Sequence, residues 1–211
     1  MIISRTPFRI SFFGGGTDYP EWFTKNNGSV ISTTIDKFCY ISLRSLPPFF
    51  KYNYRLRYFK KEEVKKISDI KHPSIRESLK YLDFDKNQNL EIVHSADLPA
   101  LSGLGSSSTF TVSLLHALHT FKNENVTKKQ LSMEAIHVER NLIKEKVGSQ
   151  DQTAAAFGGI NHIVFEHNGN LKVNNIFLSK EQIIELEVNS ILLFTGLQRK
   201  ANSIAKDKVK N

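Results

Sequence analysis

With 211 residues, 40% hydrophobic and 24% charged, the chain is long enough to bury a core as one domain, or as one domain and part of another. A single cysteine, Cys39, excludes an internal disulfide and fits a reducing cytoplasm, and no window has the roughly 18 consecutive apolar residues of a membrane span. The net charge of +8 suits phosphate-bearing ligands as well as nucleic acid, but the basic residues are dispersed, and the N-terminus lacks the residue order of a signal peptide.

In chain order, residues 2–13 predict a strand carried by Ile2, Ile3, Phe8, Ile10, Phe12 and Phe13. Gly14-Gly15-Gly16-Thr17-Asp18-Tyr19-Pro20 then ends it, either as a flexible turn or as a place where backbone comes close to something. Residues 28–46 alternate as a strand pair with Asp36-Lys37 as the turn, and Pro47-Pro48 closes the pair because proline cannot donate to a ladder. The aromatic and basic segment 49–58 reads as a strand pair with one face in the core, with an RNA-stacking surface as the rival. Two short helical patterns follow, Glu62 to Ile70 and Ser74 to Phe84, separated by His72-Pro73; His72 and His94 read as surface or loop histidines.

The organising stretch is Pro99-Ala100-Leu101-Ser102-Gly103-Leu104-Gly105-Ser106-Ser107-Ser108, between an apolar segment, Leu90 to Val93, and a helical run. Two glycines let the backbone approach a ligand, and three serines open a helix whose first amides have no intrahelical partners. Free amides and the positive end of the helix dipole suit a phosphate. A capped helix that binds nothing has the same composition. No Gly-Lys-Ser/Thr follows the glycines, so this is not a Walker A loop, and Ser108 stands where a dinucleotide fingerprint needs a third Gly or Ala.

Beyond it, Phe110 to Phe121 predicts an apolar helix, and Thr127 caps a helix over Lys128 to Lys146 whose buried stripe is Leu131, Ala135, Val138 and Leu142. Glu139 lies beside that stripe, and with Arg140 it can form a solvated ion pair. Gly148 ends the helix; Ser149-Gln150-Asp151-Gln152 leads into Thr153 to Phe157 and Gly158-Gly159. Residues 160–166, 171–178 and 188–195 read as strands, Lys180 to Leu186 as a short helix, Thr195 to Arg199 as a loop and Ala201 to Lys210 as the start of a helix. No His, Cys, Asp and Glu set has zinc spacing.

Pro99-x-x-x-Gly103-Leu104-Gly105-Ser106-Ser107 strongly resembles the central ATP-binding motif of the GHMP kinases, which phosphorylate small metabolites such as galactose, homoserine and mevalonate. Pro7-Phe8-Arg9-Ile10 with Gly14-Gly15-Gly16-Thr17-Asp18-Tyr19 resembles the first motif of the sugar-kinase branch, with Gly15-Gly16 where galactokinase-like members carry Glu-His. That triple-glycine form is similar to the branch acting on D-glycero-D-manno-heptose 7-phosphate. Glu139 and Asp151, twelve residues apart and followed by Gly158-Gly159, match the metal-binding Glu and catalytic Asp of the family.

The resemblance implies an α/β (α+β) fold, a mixed sheet with helices packed on it over residues 1–178, and the start of a ferredoxin-like C-terminal domain over 179–211. It implies ATP at Pro99 and Ser102 to Ser108, Mg2+ between Ser107 and Glu139, and sugar at Gly14, Gly15, Gly16, Thr17 and Asp18, with Asp18 holding sugar hydroxyls. Asp151, its charge favoured by a helix start, would accept the proton of the attacking hydroxyl with Arg9 beside it. The product would be a sugar 1-phosphate. The implied partner is a sugar or sugar phosphate, not nucleic acid or membrane, and a homodimer is allowed. The family's third, Gly-rich motif does not follow Gly196, which keeps open a nucleotide-binding fragment without catalysis, beside a kinase of galactose or fucose.

Overall fold

The computed structural model of the chain describes residues 1–84, 88–100 and 102–193. Strand β1 (Ile2–Phe13) buries Ser4, Thr6 and Phe8 and exposes Ile3 and Arg5, the period-two pattern of a strand covered on one face. It runs antiparallel along the whole of β2 (Gly28–Ser45). The other edge of β2 is shared: its C-terminal half pairs with β5 (Leu90–Ala96), its N-terminal half with β6 (Ile160–Phe165). Strand β3 (Tyr54–Arg57) lies parallel to β5 and antiparallel to β4 (Lys61–Val64), and β7 (Leu171–Asn175) closes the far side on β6. The order is β4-β3-β5-β2-β6-β7, with β1 on the free side of β2.

Helices α2 (Pro73–Tyr81), α3 (Ser106–Phe121), α4 (Lys128–His137) and α5 (Gln150–Phe157) contribute to the cores beside the sheet; α1 (Pro20–Asn26) packs Phe23 near β6, and α6 (Lys180–Val188) follows β7. The central helix α3 is buried nearly all round; Leu114, Leu115 and Leu118 meet Ile41, Leu43 and Ile92 of the sheet and Leu79 of α2. A smaller cluster, Phe23, Val30, Ile136, Ile163 and Phe165, joins α1 and α4 to β2 and β6. Burying such a Leu or Phe stabilises the fold by about 1.5–3 kcal/mol. This is a mixed sheet with helices packed on it, as expected.

Several elements differ from expectation. Asp36 and Lys37 are no turn: β2 is one strand of 18 residues. Pro7 pairs with Phe38 and Arg9 with Thr34, so Phe8 alone faces Ile35, Asp36 and Lys37. The polar pair marks a bulge where β2 passes from pairing with β6 to pairing with β5. Of segment 49–58, only Tyr54 to Arg57 is strand, and Phe50 and Tyr52 instead stack beside the Arg55 guanidinium. Glu62 to Ile70 is not a helix; it holds most of β4 and a 3-10 turn, Ile67–Asp69, because pairing with β3 overrides local preference.

The helix from Lys128 stops at His137 and continues as one π turn, Val138–Leu142, so Lys144 to Lys146 are outside it. Thr127 caps it, its hydroxyl accepting from Gln130 N–H at 3.1 Å. Residues 188–193 form no strand: Val188 closes α6, which a Ser179–Gln182 capping box opens, and no described strand offers Ile191 to Leu193 a partner. The expected strand end at Phe194 and Thr195, the Thr195–Arg199 loop and the Ala201–Lys210 helix lie outside the described residues.

Candidate active site

Gly105 caps α3 from the left-handed region (φ 74°) and Gly103 shares that conformation (φ 79°), which turns the chain sharply into the helix and leaves its first amides facing outward. Leu101 lies outside the described residues. Ser107 is exposed and lines a cavity, while Ser108 turns into the core. A mostly apolar helix that opens with three polar residues thus presents an anion-favouring end next to a packed interior.

Arg9 joins this loop to α5. Its Nε and Nη2 donate to Asp151 Oδ1 at 2.8 and 2.7 Å, and its Nη1 donates to the Gly103 carbonyl at 3.2 Å. Asp151 rides on the first turn of α5, and its Oδ2 lies 3.3 Å from where a Cβ on Gly105 would stand. The structure therefore brings Arg9, Gly103, Gly105 and Asp151 to one point, although 142 positions separate the ion pair in sequence.

The triple-glycine turn is locked from both sides. Thr17 Oγ1 donates to Gly14 O at 2.8 Å and accepts from Ser29 N–H at 3.0 Å. A Cβ on Gly14 would meet Ser29 O at 1.8 Å, so only glycine fits. Gly15 is exposed. Asp18 has no exposed surface: its carboxylate accepts from Gly16 N–H (3.1 Å), from Gln150 N–H (3.1 Å) and from the Gln150 side chain (3.2 Å). Burial raises its pKa, and the nearby Asp151 charge adds to that. Gly148 makes room for it, since a Cβ there would stand 1.8 Å from Asp18 Oδ2. In this geometry Asp18 faces the start of α5, and the open part of the turn is glycine backbone.

Glu139 is 1% exposed, not beside the buried stripe as expected. It stands four residues after Ala135 and eight after Leu131, both buried, so helical spacing places it on their face. Ser108 Oγ donates to its Oε2 at 2.8 Å, and the Gln152 amide donates to the same oxygen. Its hydrogen-bonding serine is thus Ser108, whereas the resemblance implied Ser107 as the serine that shares a metal with it. Arg140 makes no bridge to it among the described residues; its Nη2 donates to Val147 O (3.2 Å) and Ser149 Oγ (2.8 Å). Burial pushes the Glu139 pKa up to about 7. Its Oε1 is buried without a hydrogen-bond partner. A carboxylate oxygen left unspent beside a serine hydroxyl fits a small hard cation such as Mg2+.

A cavity of about 610 Å3 opens beside Ser107, walled by Tyr58, Phe59, Lys60, Lys71 and His72. His72 is a loop residue, as expected: it precedes α2 half-buried, its Nδ1 accepts from Ile75 N–H, and burial pushes its pKa down to about 4. Sequence reasoning gave Tyr58, Lys71, Gln150, Gln152 and Gly148 no place in this site. For Gln150 and Gln152 the signal was their place on either side of Asp151. For Tyr58 and Lys71 no local pattern could reveal a shared wall.

Fold and site together define an α/β domain in which a glycine-serine anion cradle meets an arginine-held carboxylate. Residues 73–159 match the model of the GHMP kinases N terminal domain. It is 30% identical to the D-glycero-alpha-D-manno-heptose 7-phosphate kinase of Campylobacter jejuni, over 98% of this chain and 63% of that protein. It is 24% identical to the galactokinase of Chloroflexus aurantiacus, over 76% of this chain and 42% of that protein. Among solved structures it superposes on a D-glycero-D-manno-heptose 1-phosphate kinase from Bacteriodes thetaiotaomicron with a TM-score of 0.81 and 25% identity, covering 89% of this chain and 63% of that one. The chain thus spans less than two thirds of these relatives' length. No described helix is long and apolar enough to cross a membrane.

Proposed function

We propose that the chain is the N-terminal part of a sugar kinase that moves the γ-phosphoryl group of ATP to an anomeric hydroxyl, with D-glycero-D-manno-heptose 7-phosphate as acceptor and the 1,7-bisphosphate as product. The observation that carries this reading is the meeting of Asp151 with the phosphate cradle at Gly105, where a Cβ would stand 3.3 Å from Oδ2. The heptose acceptor rests on the more similar of the two curated relatives, at 30% against 24% identity. On this reading residues 1–178 are the ATP-binding domain, and a second domain starts at residue 179.

The amides and hydroxyls of Ser102 to Ser108, with Pro99 and Leu104 shaping the approach, hold the triphosphate, and the cavity beside Ser107 takes the nucleoside. Asp151 Oδ2, left unspent by Arg9, accepts the proton of the C1 hydroxyl as its oxygen bonds to the γ-phosphorus and the bond to ADP breaks. Arg9 fixes Asp151 against the Gly103 carbonyl, so the carboxylate does not search for its orientation. Gly14 to Thr17 offer backbone to the sugar, and Asp18 holds that turn to the start of α5. Glu139 and Ser108 would hold Mg2+, and bound there the metal would supply charge neutralisation on phosphate oxygens.

The test is ADP release with heptose 7-phosphate, galactose and fucose as acceptors. Turnover on the heptose phosphate alone supports the reading, turnover on galactose moves the chain to the galactokinase-like alternative, and ATP binding with no turnover on any sugar leaves a nucleotide-binding domain.

A further inference from the structure

A second cavity, of about 210 Å3, lies between Tyr19, Pro20 and Glu21 on one side and Arg140 with residues 144–147 on the other. Both walls are continuous with the site: Tyr19 follows Asp18, and Val147 leads through Gly148 to Gln150 and Asp151. Three features give it the chemistry of an anion receptor. The Arg140 guanidinium is pinned by Val147 O and Ser149 Oγ, yet its Nε is buried with no partner. Lys144 holds a left-handed backbone (φ 63°), a strained conformation for a non-glycine residue that tends to be kept where function needs it. Lys144 and Lys146 are exposed, and neither is in an ion pair among the described residues. The carboxylates at the cavity are Glu21 and Glu145 in its walls, with Asp18 and Glu139 near Arg140.

We infer that this cavity is an acceptor subsite that receives the terminal phosphate of a phosphorylated sugar, with Lys144 and Lys146 as neutralising charge and the Arg140 side chain in its wall. The inference rests on the sugar-kinase reading and adds to it the place where a phosphate-bearing acceptor is told from a free sugar. Ser149, tied to Arg140, stands two residues before Asp151, so their Cα atoms are at most about 7.6 Å apart, within reach of one sugar phosphate. The cations of the larger cavity, Lys60, Lys61 and Lys71, lie on the Ser107 side and serve the nucleotide.

The test is calorimetric titration of the chain with heptose 7-phosphate, unphosphorylated heptose, inorganic phosphate and ATP, in the wild type and in a Lys144→Asn, Lys146→Ala double variant. Asparagine tolerates the left-handed backbone, and both positions are exposed, so the fold is kept. The expected result is at least a tenfold loss of affinity for heptose 7-phosphate, a parallel loss for inorganic phosphate, and ATP affinity unchanged. Equal affinity of the two proteins for heptose 7-phosphate, no binding of it by the wild type, or a loss confined to ATP would each overturn the inference. Because binding is read without turnover, a protein that captures heptose 7-phosphate through these lysines but releases no ADP would sink the kinase reading and keep the subsite.

Discussion

Replacing Glu139 with glutamine should stabilise the metal-free protein at alkaline pH. The carboxyl sits at about 7 in the fold against an ordinary 4.5, because burial penalises its charge more than Ser108 and Gln152 favour it. A folded pKa above the unfolded one means that the fold prefers the protonated group. Its contribution is complete below about pH 4.5 and is lost as pH rises through about 7. The difference of 2.5 units (7 minus 4.5), at about 1.36 kcal/mol each, sets a ceiling of about 3 kcal/mol. For a chain of this size that is roughly 6–12 °C in Tm. Thermal unfolding in EDTA should show the wild type losing this much between pH 5 and about 8.5 relative to Glu139→Gln, which lacks the titration. Mg2+ with ATP should restore the wild type at alkaline pH and do less for the variant, because only the carboxylate holds the cation tightly. Parallel pH profiles for the two proteins would refute the reasoning.

Asp151→Asn should lower single-turnover transfer by about 10²- to 10⁴-fold while ATP affinity stays within a few-fold; a loss below about tenfold would remove Asp151 from the chemistry. Gly148→Ala forces a methyl to within 1.8 Å of Asp18 Oδ2 and should cost about 1–3 kcal/mol in urea unfolding, against no change if the α5 entrance were slack. Asp18→Asn replaces an acceptor of two backbone N–H groups by a group that also donates, and should cost a similar amount, about 1–3 kcal/mol. If Asp18 instead met only sugar, stability would hold and the acceptor KM alone would rise.

Elements with strong local signals were legible in the sequence. The alternation of β1, the apolar run of α3, the Thr127 cap and the glycines at 103 and 105 each depend on neighbours within a turn or two. What failed was set by partners far along the chain. Asp36-Lys37 has the composition of a turn, but β1 on one edge and β5 and β6 on the other keep β2 extended. Glu62 reads as a helix start, yet its carboxylate accepts from Lys71 and His72 N–H and from the Tyr58 hydroxyl, contacts that only the folded β3–β4 hairpin assembles.

The same distinction divides the site. Residue types in a motif tell which groups are present; which atoms they face is a matter of helix phase and of loops closing over long separations. Arg9 and Asp151 are legible as a pair because an ionised carboxylate at a helix start and a nearby guanidinium have few better partners. Ser107 against Ser108 is a difference of one residue, about 100° around an α-helix. Glu139 lies in the core on the face of Leu131 and Ala135, where the serine reaching it is the one that also points inward, Ser108. Asp18 follows the same logic. Its motif position marks it as polar and close to the sugar, but Gly148 leaves a hole of its size at the start of α5, where two backbone N–H groups and a side-chain amide take its oxygens. A buried carboxylate satisfied in that way binds the glycine turn to the helix carrying Asp151, so the turn and Asp151 move as one piece.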